Sequence, residues 1–390
     1  MEVAMKRNDG FVLKELAGVS YLLPCGQLIA DHRRGISLNE TGVLIWNLLR
    51  QEQTWEQLLS RYLEHLPDME DYKEELEADL KQFLRHLASY RMLEWDNSEQ
   101  SGSLPLFCTL KIGGLSLQLK GPSYAFSSAF DSFTQTESSS IDQTISIHST
   151  LPPRQFNGQL LVRNDELMIC EHDRHFLLLF PKNPQIREAH LAKDGSSADF
   201  YCLPPFTEDF RSELFHAIRL PFLYLAQLHG MVVLHSASIL YRQKAWLFSG
   251  PSGTGKSTHT NLWNRLLDTP ILNGDLNLLA FSDGKPIIHG LPWCGTSGLA
   301  ALDSHPLGGI VLLKQAKEDA CLELAGDKKQ LMVMQRFISP SWTEKMLDRN
   351  LHAAAQLSSC VPVFQLQCTK EPSAVHAIKT QIDLFMNHEE

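Results

Sequence analysis

Gly250-Pro251-Ser252-Gly253-Thr254-Gly255-Lys256-Ser257 has the spacing G-x-x-x-x-G-K-S, and its reading decides the fold of the larger part of the chain. Just before it, Ala245-Trp246-Leu247-Phe248-Ser249 is an apolar run of strand length; just after it, Leu262, Trp263, Leu266 and Leu267 recur at helical spacing. The glycines therefore stand where a strand turns into a helix. In that setting backbone N–H groups close around phosphate oxygens and the helix N-terminus favours negative charge. Lys256 then reaches the terminal phosphates, and the Ser257 hydroxyl can ligate Mg²⁺. The expected nucleotide contacts are Gly250, Ser252, Gly253, Thr254, Gly255, Lys256, Ser257 and Thr258, with ATP and Mg²⁺ as the ligands. A glycine-rich turn of chance composition is the bland alternative, and the strand–helix setting argues against it.

Working outward, the apolar run Pro270-Ile271-Leu272 leads through Asn273 and Gly274 to Asp275, eighteen residues beyond Ser257. A strand-end Asp facing a phosphate loop can hold Mg²⁺ through water or take a proton from an attacking hydroxyl. On the other side, residues 231–235 read as a buried strand ending in His235, one hairpin-sized connection before the phosphate-loop strand. A lone histidine in such a place is most often a hydrogen-bonded core residue. Thr258, His259 and Thr260 open the following helix, where packing and capping explain them nearly as well as phosphate contact does. Residues 290–298 form a glycine-rich loop whose aromatic, Trp293, reads as exposed: a lip over substrate, or only a tight connection. A strand at 309–314, helices around 327–337 and 341–356, a strand at 361–367 and a closing helix near 374–386 complete an α/β unit.

The segments LHSASILYRQKAWLFSGPSGTGKSTHTNLW, PILNGDLNLL and HGLPWCGTSGL follow one another within residues 231–385. In order and in motif they resemble the HPr kinase/phosphorylase family and its phosphoenolpyruvate carboxykinase-related kin, including kinases of peptide-maturation clusters. The resemblance implies that His235 is the active-site histidine on the strand before the loop, that Lys256 and Ser257 contact phosphate and metal, and that Asp275 is one of the family's acidic pair. The chain departs from the pattern at Gly274-Asp275, which holds one carboxylate. One Asp must then serve both metal and base, or His235 or a water shares the task. The implied catalytic residues are Asp275, His235 and Lys256, and the implied metal ligands are Ser257 and Asp275.

At the other end of the chain, residues 11–16 and 21–24 read as two strands around a tight Ala17-Gly18 turn, with residues 27–30 as a candidate third strand. Three helices follow. Ser37 with Glu40 and Thr54 with Gln57 make capping boxes, and a third helix from Asp71 carries Leu76, Leu80, Phe83, Leu84 and Leu87 on one stripe. The residues GISLNETGVLIWNLL, TWEQLLSRYL and EELEADLKQFLRHL resemble the PqqD-like family over residues 10–95. The resemblance implies recognition of the leader of a ribosomally made precursor peptide, added as an extra strand beside the third strand and packed on the third helix. That places docking near Gln27 to Gly35 and Asp71 to Ser89, where Arg33 and Arg34 either meet acidic leader residues or merely solvate a loop.

Between these parts, the polar residues 96–103 read as a linker, and short strands are expected at 106–112, 115–119, 159–162, 167–170 and 175–180. Residues 133–149 are rich in Ser and Thr and read as an exposed loop. No catalytic constellation stands out here. An amphipathic helix from Glu208 leads toward Pro221, and a second piece continues to Gly230. The expected fold is thus α/β: a P-loop domain of HPr kinase type (206–390) with a β-rich N-terminal layer (98–205), preceded by a winged-helix-like, PqqD-like domain (1–97) of three strands and three helices.

Composition narrows the partners. A net charge of −10 gives no basic field for nucleic acid or an anionic membrane, and no run of 18 apolar residues occurs. The eight cysteines, without a C-x-x-C pair, read as reduced and mostly buried thiols of a cytoplasmic protein. The leading expectation is a kinase phosphorylating a Ser or Thr hydroxyl of a leader-docked precursor peptide. The alternatives are a non-catalytic ATP-binding scaffold and a small-molecule kinase, and a homo-oligomer stays open.

Overall fold

A computed structural model describes residues 5–30, 35–51, 53–66, 72–90, 92–95, 104–136, 140–150, 152, 158–183, 185–203, 206–295 and 298–389. The expected linker at 96–103, the helix start at Asp71, and Arg33 and Arg34 lie outside the described residues. The chain divides into two compact units, residues 1–103 with 149–153, and residues 104–148 with 154–390.

In the first unit the strands Phe11–Leu16, Val19–Pro24 and Ile36–Leu38 form an antiparallel sheet in that order. Ala17 and Gly18 both take positive φ, 51° and 79°, the turn whose twist matches a two-residue hairpin. The third strand differs from the expectation: Gln27–Ala30 is a single helical turn, and Ile36–Leu38 pairs with Val19–Pro24 instead. This moves the helix cap as well. Ser37 lies opposite Tyr21 in the sheet, so Asn39 caps the helix Glu40–Leu48 by accepting from the Gly42 N–H at 2.8 Å. The Thr54–Gln57 capping box forms as read, opening Trp55–Glu64. Helix Lys73–Ser89 buries Leu80, Leu84 and Leu87 against Trp46, Leu49, Leu58 and Leu22. Met5–Arg7 pairs with Leu93–Trp95, a two-stranded clasp joining the two ends of this core.

The second unit holds two large sheets. One has nine strands among the described residues, and an inner one, Gln143–His148, falls in the stretch expected to be an exposed loop. Gln143, Ile145 and Ile147 are fully buried while Thr144, Ser146 and His148 face the other side. The period of two was present, but Thr and Ser on the outer face gave it the composition of a loop. Strands Ile186–Ala192 and Ser197–Cys202, likewise unforeseen, complete the centre of this sheet. Glu208–Leu228 packs on it as one continuous helix, with Pro221 inside rather than at a break; the Pro221 carbonyl accepts from the Gln143 amide at 3.2 Å.

The other sheet carries the phosphate-loop strand, Lys244–Ser249. On one flank it pairs antiparallel with Val232–Tyr241, and on the other parallel with His305–Gln315, which pairs parallel with Val363–Cys368. Trp246 and Phe248 pack on Trp263, Val375 and Ile378, whereas Leu247 packs on Leu234, Val333 and Leu357. Burial on both faces is why this strand is a continuous apolar run. All eight cysteines are free; Cys202 and Cys368 are buried, Cys360 is exposed, and the other five are half-buried, more open than their composition suggested. No helix among the described residues is long and apolar enough to cross a membrane.

The placement of Gln143–His148 is open to measurement. Ile147→Ala should destabilise the second unit by about 2–5 kcal/mol through a core cavity, while Thr144→Ala on the other face should stay within about 0.5 kcal/mol. Denaturant midpoints of the two variants would differ little if the segment were a loop.

Candidate active site at the phosphate loop

The loop makes its turn through Gly253 (φ 77°) and Gly255 (φ 105°), left-handed conformations that favour glycine. Helix Lys256–Leu267 starts at once after Gly255, without a side-chain cap, so its first N–H groups face the loop. Thr254 Oγ1 donates to the Pro251 carbonyl at 2.6 Å, and the Gln315 amide donates to the Gly253 carbonyl at 3.1 Å. Gly250 and Ser252 lie in the loop, Ser257 and Thr258 in the first helical turn; Ser252 and Ser257 are exposed. His259 and Thr260 are buried, which favours the packing explanation for both.

His235 is not at a strand end. Val232–Tyr241 runs on for six residues beyond it, and His235 marks the changeover in the strand's partners: residues 232–235 pair with Leu276–Ser282, and 236–241 with the phosphate-loop strand. Its Nε2–H donates to Asp275 Oδ1 at 3.0 Å, and both side chains are about one-third exposed. Backbone bonds fix the pair: His235 N donates to the Arg336 carbonyl, Ser236 N to the Asp275 carbonyl, and Ser249 Oγ to the His235 carbonyl. Behind them lies a fully buried polar network. The Asn277 amide donates to the Ser236 carbonyl and hydroxyl, and its oxygen accepts from Ser238 Oγ and the Asn273 amide. The polar groups of this network meet one another inside the core, so it braces the turn at Gly274 and Asp275.

The bond from His235 holds the Asp275 carboxyl below the ordinary carboxylate range; burial opposes this, and the charges of Lys256 and Arg219 add to it. Burial lowers the Lys256 ammonium, with Asp275 opposing and Arg336 adding. Burial likewise lowers Arg219, against the attraction of Asp275. The structure thus brings Lys256, His235 and Asp275 into one electrostatic cluster, and adds Arg219 and Arg336, which the sequence reading passed over. Arg219 had a signal: it is the sole Lys, Arg, Asp or Glu between Leu214 and Leu228, a mostly apolar stretch of its helix, where a half-buried charge calls for a partner.

Trp293 overturns its expected exposure. It is 1% exposed, packed edge-on against Phe130 and tilted against Phe215 and Phe222, and its Nε1–H donates to the Phe215 carbonyl at 2.7 Å. The indole is an anchor, not a lip. It seats Cys294 and Gly295 beside Asp275, so closely that a Cβ on Gly295 would stand 2.9 Å from the Asp275 Cβ. Among the described residues no group of three His, Cys, Asp or Glu is arranged to hold a metal ion. One carboxylate still suits Mg²⁺, which takes one or two carboxylates and completes its shell with substrate phosphates and water.

The profile of the family described as coenzyme PQQ synthesis protein D (PqqD) matches residues 27–93. Among solved structures, the Hpr(Ser) kinase/phosphatase from Coxiella burnetii is similar over 40% of this chain and 98% of its own, at 12% identity and a TM-score of 0.25. No curated protein matches the chain. The chain therefore carries a PqqD-like domain in its first unit, and its second unit is mixed α/β with two large sheets among the described residues.

Removing the anchor should be costly. Trp293→Ala is expected to destabilise the second unit by about 3–5 kcal/mol and to speed alkylation of Cys294, whose thiol is raised above its ordinary value chiefly by burial. Unchanged melting and unchanged labelling would mean that the indole does not hold this loop.

Proposed function

We propose that the chain is an ATP-dependent kinase acting on a Ser or Thr hydroxyl of a ribosomally made precursor peptide whose leader docks on the PqqD-like unit. The observation that carries the chemistry is the His235–Asp275 pair held in the charge field of Lys256, next to the phosphate loop. Phosphoryl transfer asks mainly for positioning and for neutralised oxygens. Gly250, Ser252, Gly253, Thr254, Gly255 and Thr258 supply the loop and first-turn contacts, Lys256 balances the terminal phosphate, and Asp275 is the acceptor for the hydroxyl proton, oriented by His235 through Oδ1. Ser257 and, through a bound water, Asp275 would hold Mg²⁺, which when bound neutralises charge on the phosphate oxygens and leaves the second Asp275 oxygen for the hydroxyl proton. Arg219 offsets the second negative charge that a phosphate brings toward Asp275.

The leader is proposed to add beside Ile36–Leu38, the edge strand of the three-stranded sheet, with helix Lys73–Ser89 as the second wall. This shifts the docking edge from residues 27–35, because Gln27–Ala30 is helical and offers no ladder. Tethering raises the local concentration of the acceptor to about millimolar. A scaffold reading, in which ATP binds without transfer, is kept by one observation: Gly274 stands where a second carboxylate would relieve Asp275 of its double duty.

Incubation with labelled ATP and precursor peptide tests the proposal directly. Lys256→Ala should abolish transfer with the fold intact, since the turn glycines are untouched; wild-type turnover would remove the phosphate-loop assignment. Asp275→Asn should keep ATP binding yet lose about a hundredfold or more in rate if Asp275 takes the proton. For the docking half, deleting the leader from the peptide should raise KM strongly and change kcat little, read from initial rates against peptide concentration. Equal rates with and without leader at every concentration would leave the first unit without this role.

A further inference from the structure

The face of the nine-stranded sheet turned away from helix Glu208–Leu228 carries a row of rings. Phe176, Leu178, Ala189, Leu191, Ala198 and Phe200 enter the core with that helix, so His175, Glu188, His190, Asp199 and Tyr201, which alternate with them, fall on the opposite face. His172, in the turn before His175–Leu179, stacks on His175 with ring centroids 4.7 Å apart and planes at 6°, and His175 stacks on His190 at 4.9 Å and 20°. Tyr201 continues the row, 5.1 Å from His190 and stacked on His148.

The carboxylates around the three imidazoles are already engaged. Glu188, 1% exposed, pairs with His190 at 2.8 Å; Glu171 takes Lys193 at 2.7 Å, and Asp199 takes His148 at 2.8 Å. Asp173 and Arg174, both exposed, offset one another on the turn itself. His172 Nε2 and His175 Nε2 are buried with no partner among the described residues, and a Cβ on Gly158 would stand 2.8 Å from the former. A proton on His175 would therefore sit between two other imidazoles with no carboxylate of its own. Burial and the charges of His190 and His172 hold His175 below the ordinary histidine value of 6.5; Glu188 opposes this and Lys193 adds to it. The stability that its neutral ring gives is complete above that ordinary value and is lost as pH falls below it.

The stack is tied to what lies beneath it. His172 N donates to the His175 carbonyl at 2.9 Å, closing the turn, and Lys193 N donates to the Arg174 carbonyl at 3.0 Å. From helix Glu208–Leu228, the Tyr224 hydroxyl donates to the Lys193 carbonyl at 2.7 Å, and its ring stands edge-on to Phe176. We propose that the His172–His175–His190 stack is a proton-operated latch, which holds the turn at 172–175 and the seat of the helix at Lys193 while its rings are neutral and releases both when acid charges neighbouring rings.

Hydrogen–deuterium exchange of the full chain, at about pH 7.5 and about pH 5.5 and corrected for the intrinsic effect of pH, tests the latch. One unit below the ordinary histidine value, an uncompensated proton should speed exchange about tenfold across residues 168–179, 186–193 and 222–228, while residues 244–249 keep their rate. His175→Phe, which retains a ring in the stack but takes no proton, should lose this response, and His148→Phe, outside the three imidazoles, should keep it. An acid response of wild-type size in His175→Phe overturns the proposal. The wild-type chain decides by itself should that variant not fold: no acceleration, or equal acceleration along the whole chain, overturns the latch as well.

Discussion

The structure of the second unit depends on a strand that water touches on neither face. Lys244–Ser249 has Trp246 and Phe248 set into one layer and Leu247 into the other, with paired strands along both edges. A slip of one residue would exchange an indole for a leucine side chain in layers packed to near-crystalline density. Register is therefore fixed by volume, and the position of the loop that follows is fixed with it. From the same strand hang the other parts of the site. His235 is placed by the antiparallel neighbour, and Asp275 by the turn that the Asn277 network braces against that neighbour.

The charges around Asp275 form an unbalanced set. One carboxylate, bonded to His235, faces Lys256, Arg219 and the nearby Arg336. Cations held together in partly dry surroundings repel one another, and a single anion cannot satisfy all of them. A bound polyphosphate would supply the missing negative charge, so the same arrangement that strains the free protein favours its ligand. It also explains why the Asp275 carboxyl lies below the ordinary range: the His235 bond and the charges of Lys256 and Arg219 outweigh its burial.

Much of this was legible in the residues because the features were local. The phosphate loop announced its positive-φ turns through Gly253 and Gly255, and Thr54 with Gln57 announced a helix start. What escaped the sequence reading depended on partners far away in the chain. Gln143–His148 looked like a loop because half its residues are Thr, Ser and His, yet it is the strand that bridges the two halves of a nine-stranded sheet. Trp293 looked exposed because glycines surround it, but its pocket comes from Phe130, Phe215 and Phe222, which no local pattern links to it. Residues 27–30 had the apolar content of a strand, and pairing with Val19–Pro24 went to Ile36–Leu38 instead. Arg219 was missed because its meaning lies in Asp275, across the fold.

The parallel pairing of Lys244–Ser249 with His305–Gln315 also bears on how the protein is made. The hairpin with Val232–Tyr241 can close as soon as both strands emerge, but the other edge of Lys244–Ser249 has no partner until residues 307–312 exist. At a synthesis rate of 5–20 residues per second, that delay of some sixty residues lasts about 3–12 s. During it a nascent chain presents Trp246, Leu247 and Phe248 along an unpaired edge, the kind of surface that recruits other strands. The feature that makes the finished loop rigid is thus the one that leaves the growing chain most dependent on protection from its neighbours.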